Sequence, residues 1–218
     1  QRTAEYMPLL VDRLNRCGVP DENILIIVAV GTHRGQTPEE FEKIVGADIV
    51  RRIRVINHDC DDVAHLRCVG QTPSGNAVYL NSRALDCDRL ILTGGTVLHF
   101  LAGFGGGAKS IIPGIASRDT VNRNHNLALN EGFGAGIHPL VKSGSMEGNP
   151  LREDIDAGAA LIPIDFTINV VANERGEIVR VFAGDVFQAH RQAAAYIRRM
   201  YTVPIRQRAS LLFVSGGG

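Results

Sequence analysis

No charge excess of either sign marks this sequence: 23 lysines and arginines balance 23 aspartates and glutamates. Nucleic-acid binding draws much of its affinity from neutralising phosphates, and anionic membranes attract basic segments. A balanced chain therefore offers no electrostatic case for either partner, although a local basic pocket for one small anion is compatible with it. Long apolar runs are missing too. The longest, near Ile24–Val30, falls far short of the ~20 residues a membrane-spanning helix needs. The segment after Gln1 lacks the pattern of a secretory leader. The four cysteines, Cys17, Cys60, Cys68 and Cys87, form no CxxC pair and no zinc-type spacing with histidine. They read as reduced thiols standing in for small apolar residues in a cytoplasmic protein. HExxH and an ordered Ser-His-Asp set are also absent, which removes the common zinc and hydrolase readings.

What is present is ordinary for a globular domain: 44% apolar and 21% charged residues. Tyr6, Leu9, Leu10 and Leu14 repeat at helical spacing, so a helix is predicted over Thr3–Cys17, with Pro8 moving its start towards itself. Ile24–Val30 is a β-branched run suited to a strand buried on both faces. Thr37, Pro38 and Glu40 then open a helix as cap, first residue and capping-box partner. Short strands are predicted at Arg54–Asn57 and Ala77–Leu80, with Pro73-Ser74-Gly75-Asn76 turning between them. A buried strand over Arg89–Thr93 ends in Gly94-Gly95. Helices follow over Asp119–Asn130 and Leu151–Ala160, the latter opened by Asn149-Pro150. Phe166–Ala172 and Ile178–Ala183 form a hairpin across Asn173–Gly176. Val186–Tyr201 is helical, and Leu211–Ser215 reads as a last strand. Buried strands alternating with helices predict an α/β, Rossmann-like three-layer domain with a largely parallel sheet and an antiparallel hairpin. Residues 1–208 are read as one cofactor-binding domain and residues 209–218 as the start of a further carboxy-terminal part.

In open α/β sheets ligands bind beyond the carboxyl ends of the strands. Two segments fall there: Gly31-Thr32-His33-Arg34, and Thr93-Gly94-Gly95-Thr96. A glycine-rich stretch, Gly103 to Gly107, leads directly to Lys109. Clustered backbone N–H groups can cradle a phosphate, yet this stretch is neither a GxGxxG dinucleotide turn nor a GK[ST] phosphate loop. Lys109 is open to two readings, a surface or phosphate-contacting lysine and an amine used covalently. His33 is balanced between a structural loop histidine and a site residue. His125, on the helix after Ser117, is either structural or a metal ligand, imidazole being suited to nickel. His58 beside Asp59 could serve as base or ligand. His65, His138 and His190 read as exposed or satisfied histidines, and Asp59, Asp61 and Asp62 as a solvated acidic loop.

Taken together, these segments resemble the amino-terminal domain of the nickel-dependent lactate racemase family. The resemblance is carried by Gly31-Thr32-His33-Arg34, Asn57-His58-Asp59, Thr93-Gly94 through His99, and Ala102-Gly103-Phe104-Gly105-Gly106-Gly107-Ala108-Lys109. It continues through Pro113-Gly114-Ile115-Ala116-Ser117, Asn124-His125, Gly148-Asn149-Pro150 and Phe182-Ala183-Gly184-Asp185. It implies a nickel pincer nucleotide, a pyridinium-type mononucleotide joined covalently through Lys109 by a thioamide. It also implies His125 as the protein ligand to nickel and His33 and His99 as paired acid/base residues. Gly105, Gly106, Gly107, Thr93 and Gly94 would lie along the cofactor, and Arg34 is a candidate contact to the substrate carboxylate. The implied reaction is racemisation or epimerisation of a 2-hydroxyacid of the lactate type. The implied partners are that small molecule and the proteins that build the cofactor. The family further implies an Asp-x-x-Arg-type segment ahead of Gln1 and a substrate-contacting carboxy-terminal domain. Two competing readings are a non-catalytic nucleotide- or metal-binding module, which has no need of both His33 and His99, and a pyridine-nucleotide dehydrogenase, which the missing GxGxxG turn disfavours. The enzymatic reading requires His33, His99, Lys109 and His125 to converge on one cleft.

Overall fold

The computed structural model describes residues 2–132 and 134–205, together with 207, 210 and 211. Helix α1 (Thr3–Arg16) turns Met7 and Val11 inward, against Val45, Ile49 and Ile53. Pro8 lies inside this helix, not at its start. A proline there forfeits one backbone bond; burial of Met7 in the cluster holds the turn ahead of it.

Strand β1 (Leu25–Val28) pairs in parallel with β2 (Arg54–Asn57), and helices α2 (Pro38–Val45) and α3 (Ala47–Arg52) connect them. The predicted capping box is formed: Thr37 accepts from the Glu40 N–H, and the Glu40 carboxylate accepts from the Thr37 N–H. The strand predicted as fully buried is half-buried along its length. β3 (Leu66–Gln71) and β4 (Ala77–Asn81) form an antiparallel hairpin across the predicted turn. The sequence had assigned the incoming strand of that turn to Arg54–Asn57. The true one is broken by a bulge between Cys68 and Gly70, which erases its two-residue alternation.

After the short helix α4 (Ser82–Leu85) come β5 (Ile91–Gly95), the two-residue strands β6 (Leu98–His99) and β7 (Gly103–Phe104), and helices α5 (Arg118–Asn126) and α6 (Pro150–Ala159). Strand β8 (Phe166–Ala172) then pairs in parallel with β5 and antiparallel with β9 (Ile178–Gly184), and α7 (Val186–Tyr201) closes the described secondary structure. The chain is thus an α/β domain with parallel and antiparallel pairing, including the predicted hairpin. Among the described residues the parallel pairing is confined to two separate ladders, β1–β2 and β5–β8.

The β5–β8–β9 sheet sits between helices. Val171 on one face packs with Ala193, Ala194 and Ile197 of α7. Phe166, Ile168 and Val170 on the other face line an apolar recess of about 280 Å³ beneath Tyr6, Leu9 and Leu10 of α1. A third cluster, including Val78, Leu80, Ile111, Ile112, Leu151 and Ile155, underlies the turn that carries Lys109. No described helix is long and apolar enough to cross a membrane. The strand predicted at Leu211–Ser215 lies outside the described residues beyond Leu211.

Candidate functional site

The site is assembled by backbone first. Beyond β5 the Thr96 N–H binds the Val170 carbonyl at 2.9 Å, and the Gly105 N–H returns to the Val97 carbonyl at 2.7 Å. The chain then enters a single 3-10 turn, Gly107–Ser110, that presents Lys109. Gly106 and Gly107 have φ of 77° and 58°, a region costly for residues with a Cβ. A Cβ on Gly107 would lie 2.7 Å from Cγ of His190, and one on Gly106 would lie 2.8 Å from Oγ1 of Thr96. Close packing against this chain's own side chains therefore accounts for both glycines, leaving only their main-chain side for a ligand.

The loop bearing His33 is fastened to the same turn. The Gly114 N–H donates to the Lys109 carbonyl at 3.0 Å, and the Gly31 N–H donates to the Gly114 carbonyl at 3.0 Å. His33 itself is exposed, and its imidazole makes no hydrogen bond among the described residues. Arg34 forks onto Glu40, with Nη1 and Nη2 at 2.7 and 2.6 Å from the carboxylate oxygens. That pair holds the Glu40 carboxyl down at about 2. A substrate carboxylate would have to displace Glu40 to reach Arg34.

Lys109 Nζ lies 3.2 Å from Nε2 of His99. Burial, with the buried Arg152 guanidinium second, pushes the Lys109 amine down to about 8. Burial, then Lys109, then His125 push the His99 imidazole down to about 4. Both groups are held towards their neutral forms, and Lys109 has no carboxylate partner among the described residues. His125 stands on α5 with Nδ1 2.8 Å from the Val121 carbonyl. A carbonyl only accepts, so Nδ1 carries the proton and Nε2 keeps its lone pair, the arrangement by which metal-binding imidazoles are oriented. Among the described residues the one close cluster of three potential ligands is Asp59, Cys60 and Asp61, where Asp61 already pairs with Arg118. His33, His99 and His125 form no such trio, so a metal here would take His125 as its single histidine. Thr93 and Gly94 lie within β5, opposite Ile168 and Asn169.

Sequence reasoning missed the group that supports this turn. His190, fully buried, binds the Gly105 carbonyl through Nε2 at 2.8 Å and meets an Arg152 Nη2 at Nδ1 at 3.1 Å. The guanidinium only donates, so Nδ1 accepts and Nε2 donates. Burial, then the Arg152 charge, push this imidazole down to about 3. Arg152, only 1% exposed, also forks onto Asp156. Asn169 accepts from the Gly107 N–H at 3.0 Å, and the buried Thr96 Oγ1 beside it has no partner. One signal was readable: Val186, His190, Ala193 and Ile197 share the buried face of α7, which places the histidine in the core.

A second buried hub holds α5. Asp154 accepts from Thr72, Ser74, Asn76 and Asn124, at 2.5, 2.5, 2.9 and 2.8 Å. It joins the β3–β4 turn to the residue preceding His125. His58 is buried, with Nε2 at 2.9 Å from the Ala116 carbonyl and Nδ1 facing Asn81; its position is structural.

The fold and site thus define an α/β domain presenting a histidine–lysine pair on a glycine turn, with a second histidine free to ligate a metal. Residues 1–136 match the family described as the lactate racemase N-terminal domain, and the chain belongs to that family. It is 37% identical over 198 residues to a lactate racemase of Lactiplantibacillus plantarum, covering 90% of this chain and 45% of that protein. It is 32% identical over 212 residues to a lactate racemase of Thermoanaerobacterium thermosaccharolyticum, covering 97% of this chain and 48% of that protein. The chain therefore spans about half the length of these relatives. The lactate racemase apoprotein structure from Thermoanaerobacterium thermosaccharolyticum superposes with a TM-score of 0.80 at 32% identity, over 89% of this chain and 45% of that one. A protein from Thermotoga maritima superposes with a TM-score of 0.72 at 26% identity, over 90% of this chain and 51% of that one.

Proposed function

We propose that this chain is the cofactor-carrying portion of a racemase or epimerase of 2-hydroxyacids, lactate-like in type. Residues 1–208 would form the cofactor-binding unit, and residues 209–218 would lead into a further part. The observation that carries the reading is the Lys109–His99 pair at 3.2 Å, beside a His125 whose Nε2 lone pair is free. Family membership supports it, as do relatives named lactate racemase.

The residues present fit a nickel pincer nucleotide. Lys109 offers a buried amine without a carboxylate partner, His125 offers one uncommitted imidazole nitrogen, and Thr96 Oγ1 is a buried polar atom without a partner. Lys109 would hold the group covalently and His125 would ligate its nickel. When bound, that group supplies hydride removal and return at the carbon bearing the substrate's hydroxyl.

The protein's own task is then the hydroxyl proton. The two enantiomers present that proton to opposite sides of the site, so one imidazole per side is the minimal solution. His33 and His99 fill these places, an imidazole's ordinary pKa of about 6.5 allowing it to take and return a proton near neutrality. The partners are a small 2-hydroxyacid and the proteins that build the cofactor. The reduced thiols place the protein in the cytoplasm.

The test uses protein produced beside those cofactor-building proteins. Intact-mass analysis should show an adduct on Lys109. Chiral chromatography should show that His33→Ala and His99→Ala each abolish interconversion of enantiomers while nickel stays bound. Undiminished turnover in either variant, or full activity with an unmodified Lys109, defeats the reading.

A further inference from the structure

His99 and His125 are wired in opposite senses. His125 donates from Nδ1 to the Val121 carbonyl, leaving Nε2 bare. At His99 the roles are reversed: Nδ1 receives the backbone N–H of Leu101 at 3.2 Å and that of Ala102 at 3.1 Å. A neutral imidazole that accepts at Nδ1 carries its proton at Nε2. That nitrogen is the one facing Lys109 Nζ at 3.2 Å. An ammonium has three donors and no acceptor, so it would set N–H against N–H. The contact has one consistent polarity, Nε2–H donating to the lone pair of an uncharged amine.

We propose that His99, its tautomer set by the Leu101 and Ala102 amides, is a positioning residue for cofactor attachment at Lys109, holding the lysine nitrogen uncharged and in place until it is linked. This rests on the reading of Lys109 as the attachment point. The burial that depresses both groups acts in the same direction.

Linkage then ends the task. A nitrogen in an amide or thioamide bears one N–H and no available lone pair, so it cannot accept from Nε2–H. His99 must move its proton to Nδ1, breaking with the Leu101 and Ala102 amides, or rotate away. Either response frees His99 for the acid/base role, so attachment itself switches the residue from holding lysine to serving substrate. Little opposes the movement. His99 sits on a two-residue strand, and the ring stacked on it at 5.1 Å belongs to Phe100, which is 70% exposed.

The experiment reads the tautomer directly. Protein labelled with 15N-histidine, produced without the cofactor-building proteins, is examined at pH 9 by long-range proton–nitrogen correlation. His99 should carry its proton on Nε2, and His125 on Nδ1 as an internal fold control. Lys109→acetyllysine, which supplies an amide nitrogen without cofactor, should shift the His99 proton to Nδ1 or displace the Leu101 and Ala102 amide signals. Lys109→Met, with no N–H to oppose the ring, should leave His99 as in the unmodified protein. A second measurement is the acetylation rate of Lys109 at pH 8 by a small acyl donor. His99→Leu should slow it about two- to tenfold, the range of one net hydrogen bond, and His99→Gln, which keeps an N–H donor, should restore it. Nδ1–H on His99 in the unmodified protein, an unchanged His99 in the acetyllysine variant, or equal acylation in all three proteins would each overturn the proposal. Failure to find a cofactor adduct on Lys109 would instead defeat the functional reading while leaving the tautomer result intact.

Discussion

The ring of His190 stands where a side chain on Gly107 would have to be: a Cβ there would lie 2.7 Å from Cγ and 2.8 Å from Cδ2. Both residues lie in the buried interior, and the same imidazole donates to the Gly105 carbonyl at 2.8 Å. The turn that presents Lys109 is thus fixed from behind by one neutral histidine, which Arg152 in turn orients.

Gly107→Ala should therefore be severe for a one-methyl change. The alanine inherits a left-handed backbone, φ 58°, and a ring it cannot move without releasing Gly105. Conformational cost and overpacking together give about 2–5 kcal/mol. Urea unfolding measures it; a loss under 1 kcal/mol would show that the ring yields easily.

Acid should act through the same histidine. His190 is held down at about 3 from an ordinary 6.5, so between those values the unfolded chain binds a proton that the folded chain refuses. Its contribution to stability is complete above 6.5 and is lost as the pH falls towards 3, with a slope of about 1.4 kcal/mol per pH unit. Carboxylates titrate in part of that window, so the informative quantity is the difference from His190→Gln. That variant should show a shallower decline in its urea midpoint between pH 6 and pH 4, and parallel curves would refute the assignment.

How far the sequence foretold this arrangement depended on which interactions were local. The capping box at Thr37 and Glu40 and the turn at residues 72–76 are written in adjacent residues, and both formed. Lys109 and His99 were identifiable as a motif. Their contact was not, because it needs the Gly105-to-Val97 bond and the β6–β7 reversal to fold one loop onto the other. Arg152 and His190 are separated from the glycine turn by tens of residues of chain, and nothing near either names its partner. The broad parallel sheet was over-read, because apolar runs reveal strands and not which ladders join.

Asp154 gives the clearest test of a long-range polar hub. Its carboxylate accepts from four neutral side chains on two separate elements. Asp154→Asn keeps the shape but turns an amide N–H₂ towards donors that need an acceptor, at about 1–3 kcal/mol for each buried group left unsatisfied. Thermal unfolding should register a clear loss, and with α5 loosened, nickel retention by loaded protein should fall through His125. A drop in stability with unchanged nickel content would confine the hub to a structural role.

Lys109 should be a stability liability that the site's chemistry requires. Its amine is held at about 8 instead of 10.5, chiefly by burial. In the folded protein the charged form is disfavoured, so between those values the unfolded chain binds the extra proton. Stability should then rise as the pH climbs from 8 towards 10.5, and below 8 the folded state carries the cost of a half-buried ammonium. Lys109→Met, similar in length and apolar, removes that cost. In cofactor-free protein it should raise the urea midpoint at pH 7 and flatten the rise above pH 8, while abolishing the mass adduct in cofactor-loading conditions. Competitive acylation against pH gives an independent reading, with half-maximal Lys109 reactivity near pH 8. A midpoint above pH 10, or a less stable Lys109→Met at pH 7, would mean that the ammonium is well solvated and the pocket does not select the free amine.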